Sequence, residues 1–505
     1  MKKMSWSGSY ARLLEVLLVL PLLVSFSYVF PRWADPNQNS RLDMVVAVVD
    51  DGTFAIDKYV SNTVDYAKYN GHYYSDKPPG TAFIGIPIYA GLKVLFQTPV
   101  LDRVVQKLAD TPAFQATLRA EGSGIYKEKV RFAIAQVVLT FFIAVIPSLI
   151  LAVLLFRLCV SFKLPPLVAF FTAAAYSLLS PAFPYANALY GHQLSSALLV
   201  GSFFLIYRAR EISVRRLLLV GALLAYAVIT EYPTVLIAGV ISIYALVRLI
   251  QKGQGLKISW LALTALLGLS VILIYNTVVF GGPLSLGYEY SENWTTQHQT
   301  GFMSLTLPHL QAVWGITFGV FRGLFVLSPL VLWAFPGFVF WFQQKEYRPE
   351  FLVSLASVVL MFLFNSSSSM WWGGYSVGPR YLLAAMPFLF LGVGFCLERL
   401  SNRPWFKVLF ALSSLISLVS TWGISLAGQA FPPDTIANPF VGYAWPNWVS
   451  GNIARNFGTV LGLSGVNSPI PLVLVWLVAI AVIIPSHRGH IHSSHPVPTN
   501  TGMTT

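Results

Sequence analysis

Apolar runs as long as a bilayer crossing recur along this chain, separated by short polar stretches. The first covers residues 13–30. Others fall near 131–156, 165–181, 193–207, 216–230, 232–247, 258–280, 323–342, 351–365, 381–397, 406–426 and 470–485. A helix needs about 20 apolar residues to cross roughly 30 Å of hydrocarbon. Membrane strands would alternate apolar and polar residues, whereas these runs are apolar all round. Backbone in lipid must pair internally, so each run is expected to be a helix. The pattern predicts an all-α polytopic membrane protein with twelve transmembrane helices and both termini inside. Run 13–30 follows Lys2, Lys3 and Arg12. It exceeds the apolar region of a signal peptide and lacks a small-x-small cleavage site, so it is read as a retained helix. Run 81–97 contains Gly85, Pro87, Gly91 and Lys93 and is read as a helix lying at the interface. Proline disfavours helix at the residue before it, so Glu231-Tyr232-Pro233 should break residues 216–247 into two spans.

Charge sets the topology. Only 10% of the 505 residues are charged and mean hydropathy is +0.65, against about 25% charged residues in soluble domains. With the N-terminus inside, the whole +13 excess falls on the inside segments. Arg157, Lys163, Arg208, Arg210, Arg215, Arg216, Arg248, Lys252 and Lys257 are among its contributors. The positive-inside rule asks for this. If 81–97 crossed, every later loop would flip and Lys93 would enter the membrane. The basic pI therefore reflects orientation in an inner (cytoplasmic) membrane, and no nucleic acid partner is expected. Cys159 and Cys396 imply no disulfide framework. Residues 1–426 read as the main transmembrane unit, 427–469 as an outside loop, 470–485 as the last span and 486–505 as a disordered inside tail. The tail's His487, His490, His492 and His495 read as composition, not as a metal site.

The long polar segments lie outside: 31–130 with its interface helix, 281–322, 366–380 and 427–469. Inside loops are short. A transporter would need machinery at both faces and often shows internal repeats; no repeat is visible. Chemistry is expected on the outer face. The first outside loop reads Asp35-Pro36-Asn37-Gln38-Asn39-Ser40-Arg41-Leu42-Asp43, then Asp50-Asp51-Gly52, Asp65 and Tyr73-Tyr74-Ser75-Asp76-Lys77-Pro78-Pro79-Gly80. Asn39 or Ser40 could cap a helix starting near Arg41, which would place Asp43 in its first turn. Asp76 and Lys77 are either an ion pair anchoring the next helix or a phosphate site at the membrane surface. His192 starts a span, Glu231 lies in a tight hairpin and Arg322 ends the 281–322 loop. Arg380 stands at a helix start, where a cation opposes the dipole and calls for an anion. The aromatic loop around Tyr288-Glu289-Tyr290 could stack on a sugar.

Tyr74-Ser75-Asp76-Lys77-Pro78-Pro79 and Gly378-Pro379-Arg380-Tyr381, set in this layout over about residues 11–426, resemble the GT-C membrane glycosyltransferases. The likeness is to bacterial relatives of the protein O-mannosyltransferases and the lipid A aminoarabinose transferases. It implies a donor sugar on a polyprenyl phosphate, a glycan, lipid or protein acceptor, and transfer at the extracytoplasmic face. An acid would activate the acceptor and cations would hold the departing phosphate. Asp43 and Asp76 are the expected catalytic acids, Asp43 first, with Asp35 and Asp65 as alternatives. Lys77, Arg380, His192, Glu231, Arg322 and Asp65 are the expected binding residues. Where the family carries an early Asp-Glu pair, this chain has the amides Asn37-Gln38. No cofactor is called for, and a divalent metal stays open. A transporter or flippase, or a non-catalytic membrane binding protein, are the alternative functions.

Overall fold

The computed structural model describes residues 8–111, 129–301 and 304–493. Every predicted apolar run is helical in it. Eight helices among the described residues are long and apolar enough to cross a membrane. The runs at 165–181, 193–207 and 323–342 give the shorter apolar helices Pro166–Leu178, His192–Tyr207 and Pro329–Gln343, and the run at 216–230 gives Val214–Thr230, which is also not among the eight. Length and composition thus carry eight crossings, where the apolar pattern predicted twelve. The chain is a multi-pass membrane protein. Arg380–Leu400 is its axis, 89% buried, while Gly255–Phe280, at 17%, faces outward.

Alternate connections gather at two ends of the bundle. At one, Arg157 pairs with Glu15 and Lys163 with Glu346, and Arg248 donates to the carbonyls of Ile206, Tyr207 and Ala209. These are the segments that charge assigned to the inside. At the other end the predicted outside segments bind one another. Ala67 bridges Ser291, Leu305 bridges Ser368, and Arg322 donates to the carbonyls of Gly374 and Pro432. Helix Glu231-Tyr232-Pro233 breaks as expected: Val214–Thr230 stops at an extended Glu231, and a short 3-10 turn leads into Val235–Ile250.

Three local expectations need correction. The fold is not purely helical. Tyr66–Tyr69 and His72–Ser75 pair antiparallel, with Tyr66 opposite Ser75. Their link, Asn70-Gly71, has both residues at positive φ (48° and 84°), the preference of two-residue hairpin turns. The first-loop helix starts earlier than Arg41. It is Pro36–Asp50, capped by Asp35, whose carboxylate accepts from the Asn37 and Gln38 amides. Proline at the first helical position suits that start. Finally, the last helix is Ile470–Ser493, so the tail expected to be disordered from 486 is helical to 493; 494–505 lie outside the described residues. The interface segment is helix Gly80–Phe96, which meets Pro99–Ala109 at a 90° bend.

Candidate functional site

The hairpin and the first-loop helix deliver the charged residues. The strand His72–Ser75 ends where Asp76-Lys77 begins, and Ser40 and Ser75 hydroxyls share a hydrogen bond of 2.8 Å. Pro78-Pro79 then stops strand pairing, and Gly80 opens the next helix against Thr230. A Cβ at Gly80 would lie 2.7 Å from the Thr230 backbone nitrogen. Only glycine allows that approach, which draws Lys77 toward the Glu231 break.

The result is a cavity of about 540 Å³. Its polar end holds Arg41, Asp65, Lys77, His192, Glu231 and Arg380. Lys77 Nζ lies 3.0 Å from Asp65 Oδ2 and 3.0 Å from Asp76 Oδ1. Arg41 contacts Glu231 Oε1 at 3.3 Å and also donates to the Asn37 side chain. His192 Nδ1 is 3.5 Å from the same Glu231 oxygen, and its Nε2 is buried without a partner. Gly191 makes room for this: a Cβ there would sit 2.7 Å from Glu231 Oε1. Arg380 pairs with no carboxylate among the described residues. Its guanidinium instead faces the rings of Tyr381 (5.4 Å) and Tyr190 (5.8 Å), and its Nε is unpartnered. Gly373, at φ 71°, lets the turn wrap that side chain.

The opposite wall is apolar. Val235 and Leu236 come from one membrane helix and Leu360, Leu363 and Phe364 from another. Val235 and Leu363 are half-exposed and belong to helices long and apolar enough to cross a membrane. Tyr288, Trp294 and His298 close the third side. Tyr288 stacks on His298 at 4.9 Å, and Trp294 Nε1 donates to Asp65 Oδ1 at 3.4 Å.

Burial and charge divide the acids. Burial would raise the Asp65 pKa, but Lys77, Arg380 and Trp294 outweigh it and hold the carboxyl below the usual range. Asp76 is raised, by burial first and then by the Asp65 charge, against the pull of Lys77. Burial pushes the Lys77 ammonium down; the two carboxylates more than restore it, to above its ordinary value. Glu231 is raised by burial, against the opposing charges of Arg41, Arg380 and Lys77. His298 is pushed down to about 4 by burial and by Lys77, so it stays neutral.

Of the residues expected from sequence, Lys77, Arg380, His192, Glu231 and Asp65 converge here. Three do not. Asp43 lies two residues beyond Arg41, about 200° around the helix, and so faces away. It is fully buried, accepts from Asn62 at 3.0 Å, and burial raises its pKa well above the usual carboxylate value. Asp76 sits behind Lys77 with its side chain fully covered. Arg322 is buried on carbonyl oxygens elsewhere. Asp35 is spent on its cap and on the Tyr190 hydroxyl, 3.1 Å away. Of the two amides, Gln38 is structural, accepting from the Leu189 amide at 2.8 Å, while Asn37 lines the cavity and accepts from Arg41. Arg41, Trp294 and His298 were not foreseen. The spacing of Asn37 and Arg41, one helical turn apart, was the available signal for Arg41.

No protein-family model and no curated protein matches the chain. Solved structures similar to it include ArnT from Cupriavidus metallidurans bound to undecaprenyl phosphate, at 16% identity and TM-score 0.44, over 81% of this chain and 63% of that one. Another is the Archaeoglobus fulgidus oligosaccharyltransferase AglB with an inhibitory peptide and a dolichol-phosphate, at 12% identity and TM-score 0.42, over 83% and 56%. The apo Archaeoglobus fulgidus oligosaccharyltransferase follows at 10% identity and TM-score 0.39, over 87% and 56%. These are GT-C glycosyltransferases. The chain spans less than two thirds of each. For a divalent metal the donor set is poor. Among the described residues no three His, Cys, Asp or Glu side chains lie close enough together to hold a metal ion, and the Asp65 and Asp76 oxygens are held by the Lys77 ammonium.

Proposed function

We propose that this protein is a membrane glycosyltransferase that moves a sugar from a polyprenyl-phosphate donor to an acceptor at the extracytoplasmic face. The observation that carries the proposal is the two-ended cavity. Cations gather at one end, Arg380 without a counter-ion, and membrane helices supply an apolar wall at the other. A lipid phosphate has the matching form, an anionic head on an apolar tail. The charge distribution along the loops supports placing this end outside.

In this reading Lys77 and Arg380 bind the phosphate. As the sugar C1–O(phosphate) bond breaks, the leaving oxygens gain charge, and fixed cations in a water-poor site stabilise that change most. Asp65 and Asp76 position Lys77. Glu231 is the general base: it lines the cavity, and a carboxylate with a raised pKa is the stronger proton acceptor. It takes the acceptor proton as the acceptor oxygen bonds to C1, with Arg41 and His192 orienting it. Tyr288 and Trp294 offer ring faces to the sugar. The base role thus passes from Asp43 and Asp76 to Glu231. No step is routed through a metal.

The test is transfer of radiolabel from polyprenyl-phosphate sugars in proteoliposomes. Glu231→Gln and Arg380→Gln should each abolish most turnover in folded protein. Full turnover in both would overturn the proposal. Release of labelled lipid to the opposite leaflet without transfer would instead favour a flippase.

A further inference from the structure

Arg322 was expected at the phosphate site, yet it opens onto a different cavity of about 240 Å³. The turn 373–380 separates the two: Gly373, Gly374 and Arg380 line the first, Ser376 and Gly378 the second. Arg322 is 1% exposed. Its donors meet only neutral carbonyls, those of Phe321 (3.3 Å), Gly374 (3.0 Å) and Pro432 (3.2 Å). Its Nε faces no partner. Among the described residues no carboxylate ion-pairs with it. Asp434, an acid whose charge reaches it, accepts instead from Trp372 Nε1 at 3.3 Å. A buried guanidinium without a counter-ion is costly.

The surroundings indicate what supplies the missing charge. Ser376, Ser420 and Asn438 bring polar side chains to the lining of the same cavity. The rim is apolar and exposed: Val320 at 59%, Val326 at 41% and Val441 at 62%. Ile424 closes it from the last turn of the membrane helix Pro404–Leu426. An anion that enters here arrives on an apolar chain. The cavity has less than half the volume of the first and a single cation, so it suits a small headgroup better than a sugar phosphate.

We infer that this second cavity binds the phosphate of an anionic glycerophospholipid, with Arg322 as its cation and the Val320–Val441 rim against the acyl chains. The binding needs no donor sugar and does not depend on the transferase reading.

The test uses full-length protein in nanodiscs with photoactivatable phosphatidylglycerol or phosphatidylcholine. Phosphatidylglycerol should label peptides from 320–327 or 438–441, and phosphatidylcholine should label them far less. Labelling should fall about tenfold in Arg322→Gln, the loss expected for one charged hydrogen bond. Arg322→Gln could unfold the turn, so Ser420→Phe, which fills the cavity and keeps the cation, is the second variant and should lose labelling equally. Equal labelling by both lipids, or retained labelling in Ser420→Phe, would overturn the site. So would displacement by millimolar inorganic phosphate, which would make the ligand a free anion, or by polyprenyl phosphate at equimolar lipid.

Discussion

Replacing Lys77 with methionine removes an ammonium that lies 3.0 Å from each of two buried carboxylates. At an effective dielectric near 20, each such contact is worth about 5 kcal/mol before desolvation. Most of that offsets the burial of three charges. Breaking a buried pair from one side, however, costs ~3–5 kcal/mol, because the remaining charge stays uncompensated. Lys77→Met should therefore lower the unfolding temperature in detergent by about 3–5 °C at pH 7. The two aspartates should respond unequally. Asp65 has a lowered pKa, so its ionised form supports the fold. That contribution is present above the unfolded carboxylate value, near 3.9, and is lost as pH falls through the lower folded value. Asp76 has a raised pKa, so its ionisation works against the fold as pH rises from the unfolded value through the folded one. Asp65→Asn should thus destabilise clearly and Asp76→Asn hardly at all. In Lys77→Met both carboxylates lose their cation and both bind protons more readily, so the gap from wild type should narrow on acidification from pH 7 to pH 5. Lys68→Met, at an exposed pair with Glu292, is the control and should leave the unfolding temperature almost unmoved. Transfer, measured where all variants are folded, should fall on the order of 10²–10³-fold in Lys77→Met, as for loss of a donor to a developing anion. A gap that is independent of pH, or a Lys77→Met effect no larger than that of Lys68→Met, would refute the reasoning.

Glu231→Gln should cut turnover by about 10²–10⁴-fold, the range for losing a general base. In wild type the rate should fall as pH drops through the Glu231 pKa, which lies above the ordinary carboxylate value, and a pH–rate profile reads this limb directly. Asp43→Asn should leave transfer unchanged and cost on the order of 1 kcal/mol or less, since an amide resembles the protonated acid that burial favours; a large loss of turnover would return the base role to Asp43. Gly191→Ala sets a methyl 2.7 Å from Glu231 Oε1 and 2.9 Å from the Thr230 carbonyl oxygen, so kcat should drop and the unfolding temperature should fall with it, read in paired kinetic and melting measurements. Leu363→Trp narrows the apolar wall; the KM for a long-chain donor should rise about tenfold, with a short-chain analogue unaffected, in paired kinetics.

Much of the molecule was legible before folding was considered. Lys77 and Arg380 stood out because charge is rare in this chain and because prolines and glycines flank both. The break at Glu231 followed from Pro233. The hairpin was also legible, through Asn70-Gly71 between tyrosine-rich runs, but it competed with the stronger signal of the apolar helices around it. Asp43 misled because the wrong cap put it in the first turn of its helix; with the helix starting at Pro36 it lies about two turns in, on the face opposite Arg41. The cap was Asp35, whose carboxylate outcompeted Asn39 and Ser40 with Pro36 set at the first helical position. Trp294 and His298 carry no local signal at all. Trp294 reaches Asp65 only because the 281–322 segment lies against the hairpin through the Ala67–Ser291 bridge, and His298 joins the wall by stacking on Tyr288 of its own segment.

The chain alone determined that this is a helical multi-pass membrane protein, because lipid does not solvate open backbone and that demand is written in composition. The grouping of Arg41, Asp65, Lys77, Glu231 and Arg380 was decided only by tertiary structure. Those residues come from segments far apart in sequence, and their meeting depends on two contacts that no local pattern encodes: Gly80 pressed on Thr230, and Gly191 against Glu231.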